Sequence, residues 1–249
     1  MTNINSYLGC MLPYRGHEAA EQRLKSLENF FRTLEDATER LDWLEVVMCV
    51  DSDDSTRYKA MSMLNKCPCG SKFVITNLCR RTPVQKWNAC ADRSSAEYVL
   101  CVGGDIEFKT YGWDRMYREA IDDFPNKIGV AYSNDLHWTK GQRCNNHCVS
   151  RGFIQALGYW MLPDLNIYYS DDVMTELGKR TNMAFMHNCV LEHVHPCRKD
   201  RTVESDAIYE QTNEFYKEDR PTFDWWKENQ MAEDVAKLQD LMREHQSIR

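Results

Sequence analysis

The first hundred residues alternate between short apolar runs and helical stripes, and each apolar run stops at a polar cluster. Tyr7 to Leu12 reads as a strand that ends at Pro13-Tyr14-Arg15-Gly16. Leu24, Leu27, Phe30, Phe31 and Leu34 then recur at three- and four-residue spacing, which is one face of a helix. Leu44 to Val50 is an apolar, β-branched run of the kind buried in a parallel sheet, and it halts at Asp51-Ser52-Asp53-Asp54-Ser55-Thr56, a cluster suited to capping a helix. Lys72 to Asn77 reads as a third strand, Val84 to Asp92 as a third helix, and Tyr98 to Val102 as a fourth strand ending at Gly103-Gly104-Asp105-Ile106-Glu107. Strand and helix in strict alternation predict an α/β fold with a mostly parallel sheet flanked by helices. Right-handed crossovers then bring Pro13, Asp51 and Asp105 to one sheet edge.

The pattern loosens after residue 128. Ile128 to Tyr132 reads as a strand and Asn134 to Cys148 as a polar loop. Phe153 to Leu157 reads as a short helix stopped by Gly158, and Asp171 to Lys179 as a helix with two carboxylates in its first turn. Ala184 to His195 reads as a last strand delivering Glu192-His193-Val194-His195-Pro196. Val235, Leu238, Leu241 and Met242 mark a C-terminal helix. No repeat, low-complexity tract or linker interrupts the chain. The expected organisation is one core over 1–196, with a first half to about residue 108 and a second from about 109, and a helical extension over 197–249 packed on it.

Composition narrows the class. The chain has 249 residues, within the reach of a single core, and its 43% hydrophobic and 11% aromatic content is too high for a disordered protein. The formal net charge of −7 disfavours a protein held to nucleic acid by bulk attraction, although a local basic groove stays open. Met1 to Cys10 lacks the blocks of a secretion signal and no run approaches membrane-spanning length, so a cytoplasmic protein without integral membrane association is expected. The 11 cysteines are odd in number and several sit in apolar runs, which favours reduced, buried thiols over a disulfide framework. Cys67, Cys69, Cys144, His147, Cys148, His193, His195 and Cys197 could together suggest zinc, but their spacing matches no zinc motif.

Four features carry possible chemistry. Asp105 and Glu107, at i and i+2 after a buried strand, share a face if extended and offer two hard oxygen ligands to a divalent cation. Asp51 stands one step ahead of the capping residues and could accept hydrogen bonds from a ligand. Asp171-Asp172 opens a helix whose N-terminal dipole stabilises carboxylates. His193 and His195 share a face at a strand end.

Together these motifs, in this order, resemble the GT-A nucleotide-sugar glycosyltransferases, particularly the large inverting family with a single α/β domain. Leu12-Pro13-Tyr14-Arg15 is similar to that family's first turn, Asp51 to Thr56 to its acidic second turn, Lys86-Trp87-Asn88-Ala89-Cys90-Ala91 to the helix before its metal strand, and Gly103 to Glu107 to its Asp-x-Asp region. The resemblance spans roughly residues 7–195. It implies a nucleoside-diphosphate sugar donor, a UDP-sugar first, with Mn²⁺ or Mg²⁺ as cofactor. It implies that Asp51 meets the nucleotide base, and that Pro13, Tyr14, Arg15, Asp53, Lys86, Asn88 and Gly104 share the donor side. Asp105, Glu107 and His193 or His195 would hold the metal, and Asp172 would be the catalytic base. Two departures matter: Asp-x-Glu replaces the usual metal motif, and Asp-Asp replaces the usual acid pair, which makes Asp171 a rival base.

Acceptor specificity in this fold lies in the second half, where His137, Arg143, His147 and Arg151 accompany Trp138, Phe153, Tyr159, Trp160, Tyr168 and Tyr169. The compact chain is similar to small phage and environmental glycosyltransferases, some of which modify hydroxymethylated pyrimidines in DNA. DNA is therefore the leading acceptor, with Arg80-Arg81, Arg198-Lys199 and Arg201 as phosphate contacts. Polysaccharide, protein and lipid-linked acceptors are the alternatives. A nucleotidyltransferase would want a glycine-rich loop after the first strand, where this chain has one glycine. A non-catalytic nucleotide-sugar or glycan binding module is the reading from another class.

Overall fold

A computed structural model describes residues 7–16, 19–77, 82–136, 141–194 and 207–244. Its strands are β1 (Leu8–Tyr14), β2 (Leu44–Asp51), β3 (Ser71–Asn77), β4 (Tyr98–Cys101), β5 (Ile106–Phe108), β6 (Val130–Asn134), β7 (His147–Ser150) and β8 (Met183–His193). The helices are α1 (Ala20–Ala37), α2 (Arg57–Lys66), α3 (Pro83–Arg93), α4 (Trp113–Asp122), α5 (Arg151–Leu157), α6 (Ser170–Arg180), α7 (Ala207–Asn229) and α8 (Met231–Glu244). The strands form one sheet in the order β3-β2-β1-β4-β7-β6-β8-β5. The β3-β2-β1-β4 part is parallel, β7 runs antiparallel between β4 and β6, and β5 closes the far end antiparallel to β8.

Period-two alternation divides the buried side chains between two faces. Cys10, Leu12, Val46, Met48, Val50, Tyr98 and Leu100 belong to a core shared with α1, α2 and α4, through Leu27, Phe30, Leu64, Trp113 and Tyr117. Met11, Val47, Cys49, Val99 and Cys101 belong to a second core, completed by Val84 of α3, Phe153 of α5, Val173 of α6, Trp226 of α7 and Leu238 of α8. Residues apolar on both sides of a strand need helices on both faces, and the chain provides them.

Register aligns the strand ends. Tyr14 pairs with Val50, Asp51 with Asn77, and Met11 with Cys101, so the C-terminal ends of β1, β2, β3 and β4 share one edge. The chain winds outward from β1 through β2 to β3, then crosses to β4 on the other side of β1. The crevice between β1 and β4 is therefore the topological switch point, where ligands bind in open α/β sheets.

The expected strands and helices of the first hundred residues are present, with β1 running on to Tyr14. Gly158 stops α5 at φ 80°, in the left-handed conformation glycine allows. The segment read as a loop from Asn134 to Cys148 is corrected, because β7 begins at His147. That strand is four residues long and buried on both faces, so it shows no alternation to read. Each cysteine among the described residues is buried and unbonded to another.

Candidate active site

Asp105 lies just past β4, where the amide of Ile106 donates to the carbonyl of Gly103 at 3.3 Å and turns the chain into β5. Its own carbonyl accepts the amide of Val194 at 2.9 Å, and the amide of His193 donates to the carbonyl of Asp135 at 3.1 Å. These main-chain bonds stitch together the ends of β4, β6 and β8. They place the Asp105 carboxylate 3.6 Å from Nε2 of His193 and 3.8 Å from Arg23 of α1. Burial would push the His193 imidazole down, but the carboxylates of Asp105, Asp135 and Asp171 outweigh it and leave the pKa raised.

Asp171 is the fourth member of this acidic group. It sits in the first turn of α6 and keeps 39% of its side chain open to the cleft. Loss of solvation on its protein side and repulsion from Asp172 and Asp135 push its pKa up to about 7, against the pull of His193 and Arg143. The helix N-terminus favours the anion, while burial and like charge push this carboxyl the other way. Asp172 pairs with Arg143 at 3.2 Å, and its pKa is also raised by burial. Thr175 of α6 accepts the amide of Cys144 at 3.0 Å and donates to the Asp171 carbonyl at 2.6 Å, which fixes the loop before β7 against α6. His147 is buried there, and its Nδ1 donates to the Cys144 carbonyl at 2.9 Å. Burial lowers its pKa to about 4.

At the end of β2, the Asp51 carboxylate is fully buried. Arg15 reaches it at 2.9 Å and Lys86 of α3 at 2.8 Å, and Lys86 also donates to the Tyr14 carbonyl at 3.1 Å. Asp51 is therefore not the open acceptor its position suggested, and Lys86 is engaged inside the protein. Asp53 is exposed and 3.9 Å from Arg15. Tyr14 lies in the core with its hydroxyl 3.2 Å from Thr56, while Pro13 is half-buried at the strand end. Asn88 is committed elsewhere: its amide donates to the Met161 carbonyl and accepts the Met161 amide, both at 2.8 Å. Gly104 lies under the Tyr14 and Leu27 side chains with ordinary clearance, so space does not require glycine there.

One expectation about the metal group changes. Glu107 does not join Asp105, because the turn at Gly103–Ile106 breaks the extended run and Glu107 instead bonds Lys109, which also lies 3.4 Å from Glu192. His195 lies outside the described residues, as do His137, Trp138, Arg80, Arg81 and the basic residues at 198–201. Among the described residues, no three His, Cys, Asp or Glu side chains converge closely enough to hold a metal by themselves.

Sequence reasoning missed Asp135 and Asp219 and gave Asp54 only a capping role. Asp135 follows an apolar strand, so the strand-end logic applied to Asp51 and Asp105 would have found it. Asp54 accepts the amides of Gly16 and Thr56, both at 2.7 Å, and so locks the first strand-end turn to the second. Asp219 lies in a polar helix with no local signal.

No protein-family model matches the sequence, and no curated protein matches it significantly. Solved structures do match its fold. TarS residues 1–349 of S. aureus in complex with UDP superposes with a TM-score of 0.59 at 12% identity, covering 74% of this chain and 59% of that one. The mannosyltransferase PcManGT of Pyrobaculum calidifontis, in complex with GDP-Man and Mn²⁺, gives 0.59 at 11% identity over 94% of this chain and 73% of that one. GalNAc-T7 with UDP, GalNAc and Mn²⁺ gives 0.59 at 12% identity over 78% and 45%. This chain thus spans little more than half the length of the TarS fragment. The sheet order, the helices on both faces and these superpositions together show that the chain has the GT-A fold of nucleotide-sugar glycosyltransferases.

Proposed function

We propose that this chain is a metal-dependent glycosyltransferase that moves a sugar from a nucleoside-diphosphate sugar to an acceptor hydroxyl. The observation that carries this reading is the meeting of Asp105, His193, Asp135 and Asp171 beside the switch point of a GT-A sheet. A carboxylate 3.6 Å from an imidazole is a donor set that would suit Mn²⁺ or Mg²⁺. Asp105 and His193 would hold that ion, which when bound offsets the charge growing on the departing diphosphate. The presence of Mn²⁺ with PcManGT and GalNAc-T7 supports a divalent metal as cofactor.

Of the two helix-end carboxylates, Asp171 is the better placed to act as base, because Asp172 is drawn to Arg143. Asp171 takes the proton of the acceptor hydroxyl as the acceptor oxygen bonds to the anomeric carbon. The bond from that carbon to the phosphate oxygen breaks in the same event, and the electron pair leaves with the diphosphate. Attack opposite the leaving group inverts the anomeric configuration. The buried Asp51–Arg15–Lys86 group shapes the nucleoside end of the cleft by holding the ends of β1 and β2 and helix α3 together.

UDP-sugars are the first donors to test, since TarS and GalNAc-T7 are seen with UDP, followed by GDP-mannose. DNA containing hydroxymethylated pyrimidine is the first acceptor, on the sequence resemblance alone; polysaccharide, protein and lipid-linked acceptors follow. The test is to incubate the chain and Mn²⁺ with UDP-glucose, UDP-N-acetylglucosamine or GDP-mannose, with and without that DNA. Nucleoside diphosphate release and product mass are then measured. Slow release without acceptor, accelerated by the acceptor, is expected. A chain that binds the donors but never releases nucleotide is a binding module, and retention of configuration in the product would overturn the inverting assignment.

A further inference from the structure

The C-terminal helices look remote from the chemistry in sequence, yet one carboxylate on α7 reaches the segment that presents Asp171. Asp219 is fully buried. Its Oδ1 accepts the main-chain amide of Asn166 at 2.9 Å and the side-chain amide of Asn166 at 2.7 Å. Its Oδ2 accepts the amides of Ile167 at 2.9 Å and Tyr168 at 2.8 Å. Three successive main-chain N–H groups therefore point at one carboxylate, an arrangement that satisfies a buried charge through hydrogen bonds.

The next residue, Tyr169, stands immediately before α6 with φ 65° and ψ −1°, a left-handed conformation uncommon for a bulky side chain. Such strain persists where surrounding structure over-determines it. Within the turn the Ser170 hydroxyl donates to the Ile167 carbonyl at 2.8 Å, and further determinants lie on α7. Asp219 holds the three preceding amides, and the Tyr169 ring stacks between Tyr216 at 5.4 Å and Phe223 at 5.1 Å. Positions 216, 219 and 223 recur at three- and four-residue spacing, so one face of α7 grips both the backbone and the ring. A single strained residue then links this grip to Ser170, Asp171 and Asp172, whose direction follows from it. The opposite end of the same segment is pinned to α3 by Asn88 on Met161 and by the Val84 amide on the Asn166 carbonyl at 3.0 Å.

We propose that Asp219 is a positioning residue for the Asp171–Asp172 carboxylates, which makes α7 part of the catalytic unit. The inference rests on the glycosyltransferase reading above. Its test compares three variants of the full chain. Asp219→Asn keeps size but turns an NH₂ toward two N–H donors. Asp234→Asn is the matched control: Asp234 is equally buried and accepts Tyr159, Trp226 and Gln230, none of which lies within residues 166–172. Tyr216→Ala removes one stacking partner of Tyr169 from a site that is 52% exposed, so it spares the fold.

Release of UDP from UDP-N-acetylglucosamine with saturating Mn²⁺ is followed to separate kcat from KM, alongside hydrogen exchange of amides 166–172. Asp219→Asn is expected to lose at least tenfold in kcat with KM within about twofold of wild type and faster exchange at 166–168. Tyr216→Ala is expected to lose at least threefold in kcat, again with KM held, and Asp234→Asn to keep kcat per folded molecule. If Asp219→Asn fails to fold, Tyr216→Ala decides the question by itself. Wild-type kcat in folded Asp219→Asn or in Tyr216→Ala, or an equal loss in Asp234→Asn, overturns the proposal. An inactive wild type with every donor would instead overturn the glycosyltransferase reading, and the positioning role with it.

Discussion

At the residue scale, His147 and Asp171 have opposite pH signatures. His147 is buried neutral, with a folded pKa near 4 against an ordinary 6.5. Its contribution is complete above about pH 6.5 and is lost as pH falls toward about 4, on the order of 3 kcal/mol in all. Urea denaturation at pH 7.5 and 4.5 should show that loss, and His147→Gln should flatten it. Asp171 is shifted the other way, to about 7. Stability relative to the unfolded chain is fully present below its unfolded pKa and lost as pH rises toward 7, so Asp171→Asn should gain a few degrees of Tm at pH 8 and nothing near pH 3. As a base it must be deprotonated, so turnover should climb through about pH 7 and disappear in Asp171→Asn while donor binding persists. Full activity in Asp171→Asn with loss in Asp172→Asn would make Asp172 the base. The sequence made Asp105, His193 and this acid pair visible because each sits at a strand or helix end. Which way Glu107 and Asp51 face was not legible, since a turn at Gly103 and two cations from distant elements decide it.

At the element scale, the Asp51–Arg15–Lys86 group is the joint between β1, β2 and α3. Asp51→Asn leaves the buried Lys86 ammonium without its anion, and removing one partner of a buried ion pair costs about 3–5 kcal/mol. A Tm lower by roughly 10 °C is expected for a chain of this size; a change under about 2 °C would show that Lys86 finds water or another partner. Strands β1 to β4 and helices α1 and α3 were readable because uniform apolar runs and clean helical stripes leave little choice. Helix α4 carries Trp113, Tyr117 and Ile121 at four-residue spacing, but its remaining positions are charged and dilute the signal. Strand β5 is three residues long, too short for any period, and α7 spreads its buried Phe223 and Trp226 through a charged stretch containing Pro221.

At the scale of the whole molecule, α7 and α8 contribute Phe223, Trp226, Val235 and Leu238 to the second core. Asp234 ties them inward through Tyr159 at 2.5 Å and Trp226 at 2.9 Å. A chain ending at residue 196 should therefore expose that core and fail to give a cooperative unfolding transition, whereas a well-folded product would mark the extension as separable. No helix among the described residues is long and apolar enough to cross a membrane. In the proposed function, the cleft beside β1 and β4 holds a nucleotide sugar through a metal at Asp105 and His193. Thermal unfolding with UDP-N-acetylglucosamine or GDP-mannose, with and without Mn²⁺, measures it directly, because a ligand stabilises the state it binds. The expected result is a rise in Tm that needs both sugar nucleotide and Mn²⁺ and vanishes in Asp105→Ala. An unchanged Tm with every donor and metal, or an undiminished rise in Asp105→Ala, would contradict it.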